Sequence, residues 1–496
     1  MSTTLEASLE PKRHVAHTND ISDKKMMERV MELKGEVTCL FEACKDVVEK
    51  LNLVDVLQHL GIDRHFKEQI DTTLNNIQGA EFNSSSLHEV SLHFRLLRQH
   101  GIWVSADQFD KFKQEDGSFT SDITNDAKGL LSLYNAANLL NHNEEVLEEA
   151  LLFARRHLVL IQSGLKSPLA EQVERSLKIP LPRTLKRIEA VSYIPEYSVN
   201  PKYNPAILEL AKLDFNLLQH LHQNELKTIT QDRIVECYFW AYCVYYEEEY
   251  ARARMILVKL FMLTSLLDDT YDDHATLEEC RELSEAIERW DESDISLLPD
   301  DIKKFYLKVM KNFTVFEDEL EPSEKYRNAY ARKALISKSY LQEVEWCHQG
   351  YIPSFNDHVN VSTISAGIQL LCVGLLVGMG DVATKEVTRF MDDMADFKRG
   401  KNKTDVATTV ECYMKEQNVT SEVALDKIGS FVEDAWKTLN QALIENRALL
   451  PVVQRVTNFA MSMMVIFHGK IDRYTNSEEL KETLESLFVK HIPSTR

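Results

Sequence analysis

The residues with the clearest chemical potential are four carboxylates, Asp268, Asp269, Asp272 and Asp273, within one short segment. If a helix continues through this segment, Asp268 and Asp272 lie one turn apart on one face, with Cβ atoms about 6 Å apart. Two carboxylates at that distance repel each other by roughly 3 kcal/mol where the effective dielectric constant is about 20. The spacing therefore indicates that a cation lies near them.

Two interpretations of this acidic segment are open. It is either the solvated end of a core helix or part of a divalent metal site. Carboxylate oxygens favour a hard ion, and Mg²⁺ typically binds one or two carboxylates, several waters and the phosphates of a substrate. A single acidic motif does not distinguish a solvated helix end from a metal site, so other motifs in the chain are needed to decide.

The segment that must position these carboxylates is the apolar run from Met255 to Leu267, in which Lys259 is the only charged residue. A helix that is apolar on all sides is normally buried. The C-terminal end of a helix is also the negative end of its dipole, so acids there need a cation to balance them. The run therefore predicts a core helix that carries Asp268 and Asp272 to a polar rim.

A second helix is predicted to begin near Gln231, to contain Arg233 and Trp240, and to lie antiparallel to the first. Arg233 would then reach the same rim as Asp268, with Trp240 two turns deeper. A buried tryptophan is most often an ordinary core residue. The alternative is a pocket in which a cation at the mouth binds an anion and an aromatic face below stabilises a carbocation.

A further acidic pair, Asp392 and Asp396, again has the spacing of one helical turn and follows Arg389 by one turn. Two such pairs on separate helices, each with a nearby arginine, are much rarer by chance than one. If both pairs face each other across a helical bundle, they can hold several Mg²⁺ ions around a diphosphate.

Length and composition predict an all-α protein of two domains. The chain has 496 residues, more than one ordinary core, and only 15 Gly and 12 Pro. One amphipathic helix is predicted from Asp23 to Leu51. Five prolines between residues 180 and 205 mark the predicted junction, since proline is excluded from helix interiors. The predicted divisions are a disordered segment at 1–22, an N-terminal helical domain at 23–200 and a C-terminal bundle at 201–496.

The net charge of −21 argues against binding to nucleic acid or to an anionic membrane, because both need a basic surface. The eight cysteines are scattered without a CxxC pair, which is typical of a reducing compartment. The N-terminus lacks the apolar stretch of a secretory signal. The apolar segment at 367–380 is shorter than the roughly 20 residues of a membrane span. We therefore expect a cytoplasmic protein, and a monomer.

Several motifs together resemble those of the plant class I terpene synthases of the sesquiterpene type. They are DDTYD at 268–272, QDRIVECYFW at 231–240, RFMDDMAD at 389–396, RGKNKTDVATTVECYMKE at 399–416 and the Asp472-Arg473-Tyr474 segment. The resemblance extends from about residue 25 to the C-terminus. It implies a C-terminal catalytic α-helical bundle and an N-terminal α-barrel domain that lacks the DxDD motif of protonation-initiated cyclases, which this chain also lacks.

The resemblance also implies a role for each matching position. Metal binding is implied for Asp268, Asp272, Asp392 and Asp396, and substrate binding for Arg233, Asp268, Asp272, Arg389 and Asp392. Catalytic roles are implied for Asp268, Asp269, Asp272, Trp240, Asp472 and Tyr474. Among these, Trp240 resembles the tryptophan that stabilises cations, and Asp472 with Tyr474 resembles the pair on the lid side of the pocket.

Three positions depart from the family pattern. Gln231 replaces the first arginine of an Arg-x-Arg motif, and Gly400 replaces the last ligand of the second metal motif. Arg473 replaces a glycine between Asp472 and Tyr474, which places a bulky cation in a loop expected to close over the site. Each departure is expected to weaken metal loading or closure. A relative that binds prenyl diphosphates with impaired or no turnover is therefore an alternative.

The implied reaction is the metal-dependent ionisation of farnesyl diphosphate and its cyclisation to a sesquiterpene olefin, with diphosphate released. Three Mg²⁺ ions are implied, with Mn²⁺ as a substitute and geranyl diphosphate as another possible substrate. A chain-elongating prenyltransferase is the other alternative, although the arginine pair it needs after Asp272 is absent. A di-iron site would need two ExxH pairs, and only Glu345-x-x-His348 is present.

Overall fold

The protein is described by a computed structural model that covers residues 21–79, 82–229, 234–291, 298–319, 325, 337–366 and 407–493. These residues form helices and no β-strand, apart from one isolated bridge between Lys113 and Phe119. The predicted all-α class is confirmed.

The first part of the chain is a series of helices joined by short turns, several of them 3₁₀-helical. They are α1 (Ile21–Ala43), α2 (Val47–His59), α3 (Lys67–Gln78), α4 (Leu87–Gln99), α5 (Ala127–Ala137), α6 (Glu145–Ile161), α7 (Leu169–Lys178), α8 (Lys186–Ser198) and α9 (Pro205–Leu226). The single helix expected from Asp23 to Leu51 is thus two helices. The chain breaks because the Asp46 carboxylate caps α2 by accepting a hydrogen bond from the Glu49 amide, 2.8 Å away.

The second part of the chain is helical in the same way. Its described helices are α10 (Ile234–Val244), α11 (Ala251–Asp269), α12 (Leu277–Arg289), α13 (Asp300–Glu319), α14 (Ser337–His348), α15 (Phe355–Ser365), α16 (Thr409–Gln417), α17 (Ser421–Glu445), α18 (Leu450–Ile466) and α19 (Lys481–Phe488). The prediction that the apolar run before Asp268 is a core helix is confirmed, because most apolar side chains of α11 are buried.

The chain forms two compact units. The N-terminal unit consists of Ala16–Gln223, Lys437–Gln454 and Glu482–Arg496, and the C-terminal unit contains Asn224–Trp436 and Arg455–Lys481. The units part after Gln223, whereas the sequence places the domain junction near residue 200. Pro195 lies inside α8 rather than between domains. The domain limits at residues 22 and 200 stay predictions.

A buried carboxylate, Asp214 on α9, holds together three segments of the N-terminal unit. Its oxygens accept hydrogen bonds from Arg64 at 2.5 Å and Arg187 at 3.2 Å, and lie 2.7 Å from Nε2 of His65. Burial alone would raise the pKa of Asp214, but the Arg64 charge, the His65 hydrogen bond and the Arg187 charge outweigh burial and hold it well below its usual range. Removing either arginine would leave the buried carboxylate with less compensating positive charge, which is destabilising.

A second buried network in the N-terminal unit is centred on His59. Its Nδ1 atom lies 2.7 Å from Glu189 on α8. Its Nε2 atom lies 3.4 Å from Asp55, which is on α2 together with His59. Asp55 is also paired with Arg95 of α4. Burial would lower the pKa of His59, but the Asp55 carboxylate and the hydrogen bond with Glu189 outweigh burial and raise it. When it is protonated, His59 links α2 to α8 through its contacts with Asp55 and Glu189.

We predict that His59→Gln destabilises the protein in a pH-dependent way. A raised pKa in the folded state means that His59 contributes fully below its unfolded pKa of 6.5, and that this contribution is lost as pH rises through the folded value. Loss of a charged hydrogen bond worth about 1.5 kcal/mol should lower the thermal midpoint at pH 6 by roughly 3–6 °C. The difference should shrink towards pH 8.5 in thermal scans followed by circular dichroism.

His157→Gln is the control for this experiment. The ring of His157 lies 4.5 Å from the ring of Phe153 on the same helix, α6, and no carboxylate partner of His157 is found among the described residues. Its replacement should have a small effect with no such pH trend. A His59→Gln protein whose deficit is constant from pH 6 to 8.5 would show that the ion pairs of His59 do not hold α2 to α8.

One helical stretch, Arg447–Lys470, is by length and composition apolar enough to cross a membrane. Its apolar side chains Val453, Phe459, Ala460 and Met463 are buried inside the protein. The core helix of a globular protein meets the same criterion, so this stretch is weak support for a membrane span. The apolar segment at 367–380 lies outside the described residues.

The helices α10 and α11 of the C-terminal unit lie antiparallel, as predicted. Trp240 stacks on Phe261 with ring centroids 5.0 Å apart, and Arg254 donates a hydrogen bond to the Tyr245 carbonyl at 2.7 Å. Later residues next to α10 therefore pair with earlier residues of α11, which is the antiparallel arrangement. This pairing places Trp240 two turns below the end of α11, where Asp268 lies.

The opposite ends of these two helices are fixed by a buried ion pair between Arg254 and Glu225. Two nitrogens of Arg254 donate to the two carboxylate oxygens of Glu225 at 2.8 and 2.6 Å, and the Tyr238 hydroxyl donates to the same carboxylate at 2.6 Å. Arg254 also donates to the carbonyls of Tyr245 and Glu247. The ion pair joins the start of α11 to the end of α9, and the two carbonyl hydrogen bonds set the register between α10 and α11.

Candidate active site

The acidic segment lies where α11 changes its helical form. The α-helix ends at Asp269 and continues as a π-helical turn at Thr270–His274, in which the Ala275 amide donates to the Thr270 carbonyl at 2.9 Å. The condition considered from the sequence, that the α-helix continues through this segment, holds as far as Asp269, and the wider turn follows it. Asp268 and Asp272 are both exposed, with Tyr271 buried behind them. π-helical turns of this kind are frequent at functional sites.

Tyr271 anchors the turn to the helices behind it. Its hydroxyl lies 2.7 Å from the Ser284 hydroxyl on α12. Its ring stacks on Tyr340 of α14, with centroids 5.4 Å apart and ring planes 19° apart. Because Tyr271 is fixed on both sides, the carboxylates of Asp268 and Asp272 are held at the surface of a rigid support.

Tyr340 and Glu343 are residues of this site that sequence reasoning missed. Tyr340 is only 4% exposed, and its hydroxyl has no hydrogen-bond partner among the described residues. Burial raises the pKa of Tyr340, and the nearby charges of Asp268, Glu343 and Asp272 raise it further. A third carboxylate, the buried Glu343, therefore lies near the acidic pair.

The spacing Tyr340-x-x-Glu343 puts both side chains on one face of α14, and this is the signal that could have identified them. The sequence pattern instead draws attention to Glu345 and His348, as a single ExxH pair. In the structure Glu345 accepts hydrogen bonds from Arg281 at 3.1 and 3.2 Å, so it belongs to a surface ion pair.

An aromatic ladder lies beneath the carboxylates. We use this name for Tyr474, Trp240, Phe261 and Phe459, whose neighbouring ring centroids are 4.5, 5.0 and 5.8 Å apart. The Tyr474 hydroxyl donates to the Ser265 hydroxyl of α11 at 2.9 Å. The Trp240 indole nitrogen is buried without a hydrogen-bond partner among the described residues. The ladder offers aromatic faces that can stabilise a cation.

Asp472 shapes the loop that carries Tyr474. One oxygen of its buried carboxylate accepts hydrogen bonds from the amides of Tyr474 and Thr475, at 2.8 and 3.1 Å. Asp472 therefore acts on the loop backbone in this structure. The neighbouring Arg473 points to the C-terminal end of α18, where it donates to the His468 carbonyl.

Several predicted site residues lie outside the described residues: Arg233, Arg389, Asp392 and Asp396, together with the departures Gln231 and Gly400. Within the described part of the chain, no group of three or more His, Cys, Asp or Glu side chains is arranged to hold a metal ion. The convergence of the two acidic pairs stays a prediction.

The described donors nevertheless fit a hard divalent metal. Asp268 and Asp272 present carboxylate oxygens at an exposed edge, close to the buried hydroxyl of Tyr340. Mg²⁺ usually takes few protein ligands and completes its shell with waters and phosphate oxygens. Two accessible carboxylates are thus enough to contribute to such a site.

The fold and these residues define a class of helical, metal-dependent enzymes. The sequence profile described as "Terpene synthase family, metal binding domain" matches residues 219–438. The profile "Terpene synthase, N-terminal domain" matches residues 6–177. The chain belongs to the terpene synthase family.

The relatives cover almost the whole chain. An alpha-copaene synthase from Zea mays is 72% identical over 95% of this chain and 96% of its own, and a tau-cadinol synthase from Zea mays is 60% identical over 95% and 94%. Isoprene synthase from grey poplar, in complex with three Mg²⁺ ions and dimethylallyl-S-thiolodiphosphate, matches with a TM-score of 0.86 and 27% identity, over 95% and 98% of the two chains.

These comparisons confirm the predicted family and the enzyme class. The protein is a lyase of the terpene synthase type that depends on a divalent metal and acts on a prenyl diphosphate. The prenyltransferase and impaired-relative alternatives are not favoured. The roles of individual site residues stay predictions.

We predict that Tyr340→Phe does not destabilise the metal-free protein. A buried hydroxyl without a partner costs roughly 1–3 kcal/mol, so its removal should raise the free energy of unfolding by about 0–1 kcal/mol. Tyr306→Phe is the matched control, because its equally buried hydroxyl donates to the Ala286 carbonyl at 2.9 Å. That variant should lose about 1 kcal/mol.

Thermal unfolding of both variants, without added metal, checks this difference in sign. Equal losses in the two variants would mean that the Tyr340 hydroxyl has a partner in solution.

Proposed function

We propose that the enzyme converts farnesyl diphosphate to a cyclic sesquiterpene olefin with release of diphosphate, using Mg²⁺. The relatives named for copaene and cadinol are sesquiterpene synthases, which supports a C15 substrate. Geranyl diphosphate is a shorter candidate of the same chemistry.

One stripe of α11 carries this proposal. Phe261, Ser265 and Asp268 follow each other at intervals of four and three residues, the spacing of one helical face. Phe261 stacks on Trp240, and Ser265 accepts the hydrogen bond from Tyr474. The same face therefore passes from an aromatic wall to the exposed carboxylate of Asp268 within two turns, and the π-helical turn that follows α11 adds the exposed carboxylate of Asp272. A substrate with a hydrocarbon tail and a diphosphate head matches this gradient.

The reaction begins when the carbon–oxygen bond to the diphosphate breaks and both electrons leave with the diphosphate, so that an allylic cation remains. Metal ions, when bound, neutralise the charge that develops on the leaving group. Asp268 and Asp272 would hold the metal ions at the rim, and the diphosphate end would bind there. Trp240 and Tyr474 present aromatic faces to the cation.

Ring closure follows when a double bond of the tail donates its electron pair to the cation. Loss of a proton from a neighbouring carbon then restores a double bond and gives the olefin. Water would capture the cation as an alcohol, so its exclusion decides the product. The aromatic ladder, which includes the buried Phe261 and Phe459, supplies an apolar wall that excludes water.

The finer details of the metal site belong to the proposal. Three Mg²⁺ ions are proposed, the number present in the grey poplar isoprene synthase complex, with Mn²⁺ as a substitute. Asp392 and Asp396 are proposed as the second acidic pair, with Arg233 and Arg389 at the diphosphate. Because Gln231 and Gly400 remove one charge and one ligand, we expect a higher Mg²⁺ requirement.

A monomeric, cytoplasmic enzyme is also part of the proposal. The seven described cysteines form no disulfide, which suits a reducing compartment. Size-exclusion chromatography with light scattering tests the first point, and imaging of a fluorescent fusion in plant cells tests the second.

We predict that Asp268→Asn and Asp272→Asn each lower product formation by about a hundredfold or more, on the scale of removing one stabilising group from a charged transition state. The measurement is gas chromatography of volatiles after incubation with farnesyl diphosphate and Mg²⁺. Chelation of the metal should abolish the product of the wild type.

Asp426→Asn is the matched control, since it removes an exposed carboxylate from α17 in the same unit. It should leave the activity unchanged. Full activity in both motif variants would refute the assignment of the acidic pair, and a wild type that binds the substrate without turnover would refute the proposed reaction.

A further inference from the structure

The segment after α18 connects a helix end to the aromatic ladder. The helix ends at Ile466 and is followed by a short turn at His468–Lys470, in which Gly469 has a φ of 70°. The last carbonyls of an α-helix have no partner within the helix. They must be satisfied by water or by groups from the following chain.

Arg473 satisfies this helix end. Its guanidinium donates to the carbonyls of His468 at 2.6 Å and Val465 at 3.3 Å, and its own amide donates to the Ile466 carbonyl at 3.1 Å. One residue thus binds two carbonyls of the last turn of α18, one through its side chain and one through its amide, and one carbonyl of the turn that follows. A cation in this position is favourable both for hydrogen bonding and for the dipole.

The next residue, Tyr474, belongs to the ladder. Its ring stacks on Trp240 with centroids 4.5 Å apart and planes 24° apart. Its hydroxyl donates to Ser265 at 2.9 Å and lies 3.7 Å from the Cys237 sulfur. Asp472, on the other side of Arg473, accepts hydrogen bonds from the loop amides and so tightens the turn between the helix end and the ladder.

We infer that Arg473 is a positioning residue that holds Tyr474 against Trp240 by fixing the loop to the end of α18. The inference deepens the proposed function, because it makes the shape of the cation-binding wall depend on a side chain that does not touch the substrate. A displacement of about 1 Å at such a wall is enough to cost up to a hundredfold in rate.

This role differs from the one expected from sequence. From the sequence, the bulky cation Arg473 next to Tyr474 is predicted to hinder closure of the loop over the site. In the structure the side chain turns back to the helix end, and glycine at this position would keep the amide bond to Ile466 but lack the two side-chain hydrogen bonds and the conformational restriction. The departure from the family pattern therefore adds an anchor to this loop.

The first test uses the full chain without substrate. Hydrogen exchange read by mass spectrometry should show amide exchange in residues 471–476 about tenfold faster in Arg473→Ala than in the wild type, because charged hydrogen bonds are lost. Arg473→Lys, which keeps one donor for a carbonyl, should restore part of the protection. Unchanged exchange in Arg473→Ala would overturn the inference.

Lys415→Ala is the matched control. Lys415 also donates to a backbone carbonyl, that of Ile352 at 2.7 Å, in the same unit. It should leave exchange in residues 471–476 as in the wild type. If this control loosens the same loop, the effect is a general loss of stability and the inference fails.

The second test follows the products. Arg473→Ala and Arg473→Gly should lower kcat by about tenfold with a smaller change in KM, because the wall and not the diphosphate contacts is disturbed. Both should also release a larger share of acyclic and hydroxylated products. Faster loop exchange with an unchanged product pattern would reduce Arg473 to a structural cap and overturn its positioning role.

The two tests separate this inference from the proposed function. A wild type that forms no product from farnesyl diphosphate would refute the proposed reaction. In that case the exchange measurement alone still decides whether Arg473 holds the Tyr474 loop.

Discussion

The arrangement of the C-terminal unit depends on one buried ion pair, Arg254 with Glu225. Charges of this kind are costly to bury, and they are tolerated here because the guanidinium and the carboxylate meet in a two-point hydrogen bond. The remaining donor of Arg254 binds the carbonyls that follow α10. The register of α10 against α11 is thereby fixed, and Trp240 has to lie opposite Phe261. The placement of Trp240 against Phe261 in the candidate site follows from that register.

The carboxylates discussed in the two units differ in burial, and this difference separates structural from chemical roles. In the N-terminal unit Asp214 and Asp55 are each held by arginines of the same unit. They stabilise the fold and need no further partner. Asp268 and Asp272 instead lie exposed on a rigid π-helical turn. Exposed carboxylates are accessible to cations, which can in turn bind phosphates, so the proposed chemistry lies at the exposed carboxylates and not at the buried ones.

Much of this site could be predicted because the sequence of α11 by itself shows a buried apolar run and an acidic end. An apolar run that ends in carboxylates predicts a core helix with a polar rim, and the distance to Trp240 predicts an antiparallel partner. Tyr340 and Glu343 could not be found in the same way, because their spacing acquires meaning only when α14 packs against Tyr271. The π-helical turn and the break at Asp46 were missed for a related reason. Each depends on local hydrogen bonds that override the hydrophobic period.

The aromatic ladder links these observations to the choice of product. A carbocation has no fixed hydrogen-bond geometry, so aromatic faces guide it by position alone, and their positions must be fixed by something other than the substrate. Phe261 and Trp240 are fixed by the α10–α11 register. Tyr474 comes from a loop, and a loop is the least constrained part of such a wall. The helix end of α18 provides the missing constraint through Arg473, so the residue that departs from the family pattern lies where a small change in geometry has the largest effect on the cation.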